Sequence, residues 1–248
     1  YLNGEVNRTL DGSYTFGFLG LVFCNNVTVK DNSAAEGLVV GYSTDVTLYN
    51  MSMRDLSTGF YIYASDHIKI EKCTAYDTYY GFHLKYTDRS EITDCTVEYS
   101  GKVSYESQSF LIERSPYVNL TNCTSYTGGA GFYFKYDCDH ANVVDCLAYN
   151  GTSYGFATYS SPWCTFVNCH SHHNQHGVYI RSTDSTIIGF VTHDNQFNGI
   201  ASEGAGTEWI NCTTYNNGDE GITILRTTGV NITNCTSYGN KDEGVKVY

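Results

Sequence analysis

Six residues with side chains able to move protons recur at near-constant spacing. They are Lys85, Glu113, Lys135, Tyr159, Arg181 and Glu203, separated by 28, 22, 24, 22 and 22 residues. A lysine or arginine in such a row could take the proton beside a uronic acid carboxylate, and two carboxylates could serve as acid and base. The same row also reads as a ladder of opposite charges on an exposed sheet, and its alternating signs favour that reading. Two residues earlier in the same segments stand Tyr61, His83, Tyr133 and Tyr179. With Tyr159, these rings suit stacking on sugars, although tyrosine is also an ordinary strand residue. The densest histidine run, C-H-S-H-H-N-Q-H, puts His170 and His172 on one strand face. A surface copper or zinc site is one reading of that pair. The other is that His172 replaces a tyrosine in a ring ladder and His173 occupies an asparagine turn. No cofactor is otherwise expected.

A repeat of about 22 residues positions these columns. A glycine followed by an apolar segment recurs at Gly17, Gly37, Gly59, Gly81, Gly131, Gly155, Gly177, Gly199, Gly221 and Gly244, with Ser109 standing in once. A period in this range marks a solenoid, whose units bury their apolar faces only by stacking on neighbours. In the unit Gly59–Tyr80, alternation with period two turns Phe60 and Ile62, then Ile68 and Ile70, then Cys73 and Ala75 to one side. Three short strands per unit predict a coil of triangular cross-section. One inward column begins Phe18, Leu38, Phe60, Phe82, Phe110, Phe132, Phe156 and ends at Val245; small residues such as Ala75, Ser125 and Ala148 face it. Large against small keeps the cross-section constant. Asn50, Asn122, Asn168, Asn211 and Asn234 precede the cysteine column, where stacked amides can serve a tight bend.

Seven of the ten cysteines (Cys73, Cys95, Cys123, Cys146, Cys169, Cys212 and Cys235) fall in that column. A strand spacing of about 4.8 Å with parallel Cβ vectors suits disulfides poorly, so the column reads as free, buried thiols. Cys164 also reads as internal. Cys24 and Cys138 are expected in turns, where an intersubunit disulfide or a redox role is open to them.

The repeat resembles the right-handed parallel β-helix of pectate-lyase-like proteins and of NosD-like periplasmic and archaeal surface proteins, over Gly17 to Tyr248. The resemblance implies an all-β, single-stranded right-handed solenoid of about ten coils in three short sheets. It occupies residues 1–248 as one domain, with 1–16 as an irregular segment or partial coil. It says little about activity, because the fold hosts lyases, hydrolases, epimerases, tailspikes and structural proteins. Some uronate epimerases of the fold carry an Asp-Pro-His run; Asp139-His140 lacks the proline, so ordinary turn chemistry is the stronger reading.

A net charge of −12 argues against nucleic acid or an anionic membrane as partner. No apolar run approaches the ~20 residues of a membrane span. A basic-then-apolar leader is missing, so a signal peptide is expected to be already removed or never present. For a secreted chain, Asn7, Asn26, Asn119, Asn150 and Asn231 are glycosylation candidates. Only the stretch from Thr96 to Gln108 adds length to a coil, where enzymes of this fold usually wall a cleft with long loops. Open strands at both ends invite pairing with further copies. The expectation is therefore an extracellular or cell-surface structural element that assembles with itself, of S-layer, sheath or adhesin type. A polysaccharide-processing enzyme or glycan-binding module acting on the first-strand face is the alternative, which makes polysaccharide the second candidate partner.

Overall fold

In the coil built from Tyr80–Lys85, Glu91–Thr93 and Thr96–Glu98, the inward side chains are Phe82 and Leu84, then Ile92, then Val97. Each strand pairs in parallel with its counterparts one coil away, as Phe82 does with Phe60 and Phe110. The computed structural model describes residues 1–12, 15–54, 57–98 and 106–248. About eleven such coils form a right-handed parallel solenoid without a helix among the described residues. Its three faces carry a first, a second and a third strand ladder. The second ladder is a sheet of 11 strands. The first and third join into one sheet of 21, because Ser33–Gly41 runs round their shared corner and pairs with strands of both. Within the segment 1–16, Val6–Asp11 pairs in register with Asn25–Lys30, and Leu2–Asn3 with Leu21–Val22. The long stretch between Thr96 and Gln108 lies largely outside the described residues.

The corners explain the turn residues. Backbone φ is positive at Lys72, Asp94, Asn122, Asp145, Asn168, Asn211 and Asn234, between second and third strands. Asparagine and aspartate tolerate this left-handed region best among residues with a Cβ. Their side chains also bond between coils, as Asn122 Nδ2 does to Asp94 Oδ1 at 2.7 Å. At the corner between third and first strands, a second asparagine ladder, missed in the sequence, is buried. Asn195 Oδ1 accepts the Asn174 N–H at 3.0 Å, and Asn217 Oδ1 accepts the Asn195 N–H at 3.1 Å. A buried turn leaves such amides orphaned unless a side chain takes them.

The interior follows the expected division. Phe60, Phe82, Phe110, Phe132 and Phe156 form a continuous stack with centroids 4.5, 5.0, 4.6 and 4.6 Å apart. Cysteine thiols line the corner of the second and third strands, several accepting an N–H from the coil before: Cys73 from Met51 and Cys95 from Cys73, both at 3.4 Å. Each donates in turn to a carbonyl, as Cys73 does to Glu71 O at 3.2 Å. Burial pushes the Cys95 and Cys169 thiols well above the ordinary range, so they stay protonated and unreactive.

Three placements differ from expectation. Phe18 is exposed at 46%, because the register slips between Phe16 and Phe18; Leu19 and Leu21 turn inward instead. Val245 and Val247 are exposed, in the last described coil. Cys24 and Cys138 are buried, not turned outward, at 2% and 0% exposure. They sit in a corner ladder otherwise made by Ser43, Ser65, Thr87, Ser115 and Ser161. Cys24 N donates to Ser43 Oγ at 3.0 Å and Cys138 N to Ser161 Oγ at 3.2 Å. The Cys138 thiol donates to Ile112 O at 3.0 Å, and burial raises its pKa to about 11. Neither thiol can reach another subunit from inside the coil.

Candidate functional site

The outward side of the first ladder gathers most of the candidate residues. Parallel pairing sets Lys85, Glu113, Lys135, Tyr159 and Arg181 one above another, and Glu203 follows in the next coil. Most of the row is paired. Lys85 Nζ lies 3.0 Å from Glu113 Oε1, and Arg181 Nε lies 2.8 Å from Glu203 Oε2. Lys135 instead rests over the Tyr136 ring at 5.0 Å. Burial works to raise the Glu113 carboxyl, but Lys85 and His83 outweigh it and hold its pKa below the usual carboxylate range. The row is thus an ion-paired ladder in which Glu113 and Glu203 are both occupied by cations.

The neighbouring column adds the rings. Tyr61 and His83 stand in register, with centroids 5.1 Å apart, and the Tyr80 ring lies 5.4 Å from His83. His83 Nε2 is 3.5 Å from Glu113 Oε2. Burial lowers the His83 pKa against the pull of Glu113, so the imidazole is neutral at neutral pH. Further along, Tyr154 stacks on Tyr179 at 5.0 Å over Ala157, whose small side chain makes room. The Tyr179 hydroxyl donates to Glu203, and the Arg181 guanidinium lies over Tyr159 at 5.2 Å. Tyr133 lies between the two groups, half-buried with a raised phenol pKa, chiefly from burial. A shallow depression of about 290 Å³ opens beside Phe18, Glu36, Ser57, Tyr61, Tyr80 and His83.

Sequence reasoning missed part of this face. Tyr80 and Tyr154 open their strands, and Phe23, Tyr42, Tyr63 and Tyr86 make an edge-and-stack row along the adjoining corner at 5.4, 5.6 and 5.7 Å. Their recurrence just after the apolar pair, every 19 to 23 residues, was a usable signal. Asp139 and His140 lie off this face: His140 is sandwiched between Tyr117 and Trp163 at 5.1 and 5.2 Å, at the entrance to the second strands. The glycosylation candidates Asn7, Asn26, Asn119, Asn150 and Asn231 are all exposed.

The third ladder carries a second cluster. Tyr126, Tyr149, His172, His193, Tyr215 and Tyr238 stack face to face, with centroids 4.7, 5.2, 5.1, 4.5 and 5.1 Å apart. Histidine replaces tyrosine twice in this row, since His193 joins His172. His170 lies beside both. Burial, then the charges of His170, His193 and His173, lower the His172 pKa to about 4, with Asp194 opposing. The unfolded chain, with histidine near 6.5, therefore binds more protons below neutrality. This contribution to stability is present above about pH 6.5 and is lost as pH falls through about 4. The melting temperature should accordingly fall on acidification from pH 7 to about 4.5. His172→Tyr, which keeps the ring stack, should lose less over the same interval; identical acid sensitivity in both proteins would contradict the assignment.

A family model described as "Right handed beta helix region" matches residues 24–189 and 159–248. No curated protein is significantly similar in sequence. Among solved structures, a double mutant of the periplasmic alginate epimerase AlgG superposes with a TM-score of 0.67 at 10% identity, covering 93% of this chain and 72% of that one. The A-module of the Azotobacter vinelandii mannuronan C-5 epimerase AlgE6 gives 0.62 at 15% identity, covering 96% and 81%. A tailspike mutant of E. coli bacteriophage HK620, in complex with a hexasaccharide, gives 0.58 at 9% identity, covering 97% and 58%. At such identities the likeness is one of fold.

Proposed function

The chain belongs to the right-handed β-helix family, and we propose that it binds an extended polysaccharide along its first-strand face. The observation that carries this reading is the row Tyr61, His83, Tyr133 and Tyr179, backed by Tyr80 and Tyr154, which spans six successive coils of one sheet with Leu111 and Ala157 on the two rungs between. At about 4.8 Å per coil the row is roughly 24 Å long, enough for several sugar units in line. Rings with polar tips offer both stacking and hydrogen bonds to a sugar. Glu113 and Glu203 neutralise Lys85 and Arg181, and the chain carries −12 overall, so a neutral or weakly charged glycan fits better than a polyanion. The epimerases named above are alginate and mannuronan epimerases and the tailspike holds a hexasaccharide, which is consistent with this use of the fold and with a periplasmic or extracellular setting. Among the described residues no helix is long and apolar enough to cross a membrane.

A processing activity centred on His83 is a second reading. What favours it is a neutral imidazole flanked by two phenols at the rim of a depression, an arrangement able to accept a proton on one side and donate on the other. Calorimetric titration with neutral and uronate-containing oligosaccharides tests the main proposal. Tyr133→Ala and Tyr179→Ala should each weaken binding roughly five- to tenfold, the ~1–1.4 kcal/mol of one stacked ring. Binding by no member of the panel would overturn it. Ultraviolet absorbance of unsaturated product, or new reducing ends, abolished by His83→Ala, would extend it to catalysis. Concentration-dependent oligomers with no glycan affinity would favour the self-assembling surface role instead.

A further inference from the structure

Four of the eight histidines, His170, His172, His173 and His193, lie together on the outward side of the third ladder, away from the first-strand face. We propose that His170, His172 and His193 form a three-imidazole binding site for a divalent transition-metal ion of the zinc or copper(II) class.

The backbone sets the spacing. His170 and His172 are two residues apart on one strand, so both point outward past the buried Ser171, and His193 sits directly across from His172 in the next coil. Their ring centroids form a near-equilateral triangle with sides of 5.1, 4.8 and 5.1 Å. Three imidazoles bound through nitrogen to one tetrahedral ion at about 2.0–2.1 Å place their centroids about 5 Å apart. The centroids stand at that separation, but the ring nitrogens do not all lie within 4.8 Å of one another, so the rings must turn before they can share an ion. His172 and His193 lie within 7° of parallel. Rotation about χ2, a broad torsion in histidine, is what would turn their nitrogens toward a common centre, with the exposed Asp194 carboxylate following His193 as it turns.

The hydrogen bonds leave the same atom free on each ring. His193 Nδ1 lies 2.6 Å from Asp194 Oδ2, and a carboxylate holding one imidazole nitrogen fixes the tautomer whose Nε2 presents a lone pair. His172 Nδ1 lies 2.8 Å from His173 Nδ1; with the proton on His172, its Nε2 is likewise a free acceptor. His170 Nε2 is buried without a hydrogen-bond partner among the described residues, the state of a polar atom waiting for a ligand. Imidazole donors without thiolate suit zinc and copper(II) rather than magnesium or calcium. A ring ladder alone accounts for His172 and His193, since tyrosines fill the flanking rungs. It does not account for His170, which lies outside the stack, nor for the carboxylate on His193.

The test uses the whole chain freed of metal with a chelator. Calorimetric titration with Zn2+ should give one site per chain at micromolar protein. His172→Tyr and His193→Tyr preserve the stacked rungs and hence the fold, yet each should weaken Zn2+ binding at least tenfold. Asp194→Asn should weaken it about tenfold through loss of the carboxylate charge that raises the basicity of His193. With Cu2+, electron paramagnetic resonance should show nitrogen hyperfine structure that is lost in His170→Ala. His67→Ala, at a distant exposed histidine, should change nothing. Failure to bind either ion, or binding that survives both tyrosine substitutions, would overturn the proposal.

Discussion

Phe110→Ala should cost about 3–5 kcal/mol, among the largest losses available to a single substitution in this chain. Phe110 is fully buried and lies nearly parallel to Phe82 on one side and Phe132 on the other, with interplanar angles of 5° and 4°. Its removal opens a cavity in the middle of the stack and weakens two coil–coil interfaces at once. In a solenoid each unit touches only its neighbours, so no distant part of the molecule can compensate. The cut also falls near the middle of the chain, and unfolding in urea should broaden toward two transitions as the halves decouple. Phe110→Leu should lose clearly less, because Leu38, Ile200 and Ile222 already fill the same column in other coils. A loss for Phe110→Ala below about 1 kcal/mol, with one sharp transition, would mean that the stack is not what couples the coils.

The fold was legible because one period governs every level of it. Alternating inward residues, the cysteine column and the asparagine turns all repeat at the same interval, so the register of each ladder could be read from spacing. Phe18 was misplaced where the period slipped to 20 residues, since a bulge shifts inward and outward by one and spacing does not mark which residue is extra. Cys24 and Cys138 break the cysteine column because they belong to a different one. Their positions match Ser43, Ser65, Thr87 and Ser115, and a thiol can occupy a serine's place in a buried corner. The outward face was harder to read. Columns of tyrosine and charge are visible in sequence, but which ring leans on which, and whether a cation is already paired, depends on side-chain direction. Tyr154 stacking on Tyr179 over Ala157 needs a diagonal contact between coils that spacing alone does not specify. His193 escaped notice for a similar reason: its partners His170 and His172 lie on the preceding coil, so only the wound chain unites them.

Gly177→Ala should be among the most damaging changes of its size. A repeating glycine begins most first strands, and at Gly177, where φ is not positive, the reason is close approach between coils. A Cβ on Gly177 would lie 2.3 Å from the Gly199 carbonyl oxygen and 2.0 Å from Thr192 Oγ1. The first is backbone of the next coil and cannot rotate away. The second belongs to a buried threonine whose hydroxyl bonds the Gly199 carbonyl at 3.3 Å and accepts from Asn195 Nδ2 at 2.9 Å. Relieving the clash separates the coils locally and disturbs the buried asparagine ladder, which should cost roughly 1–3 kcal/mol or more. Gly41→Ala is the matched control: its nearest contact would be the Tyr63 carbonyl oxygen at 4.0 Å, and its φ is ordinary. That substitution should be neutral or raise stability by about 0.4–1 kcal/mol, through the lower entropy of the unfolded chain. Equal melting temperatures for the two variants would show that the coils tolerate a methyl group at a point of close approach. The glycine column would then have to be explained by something other than the approach of one rung to the next.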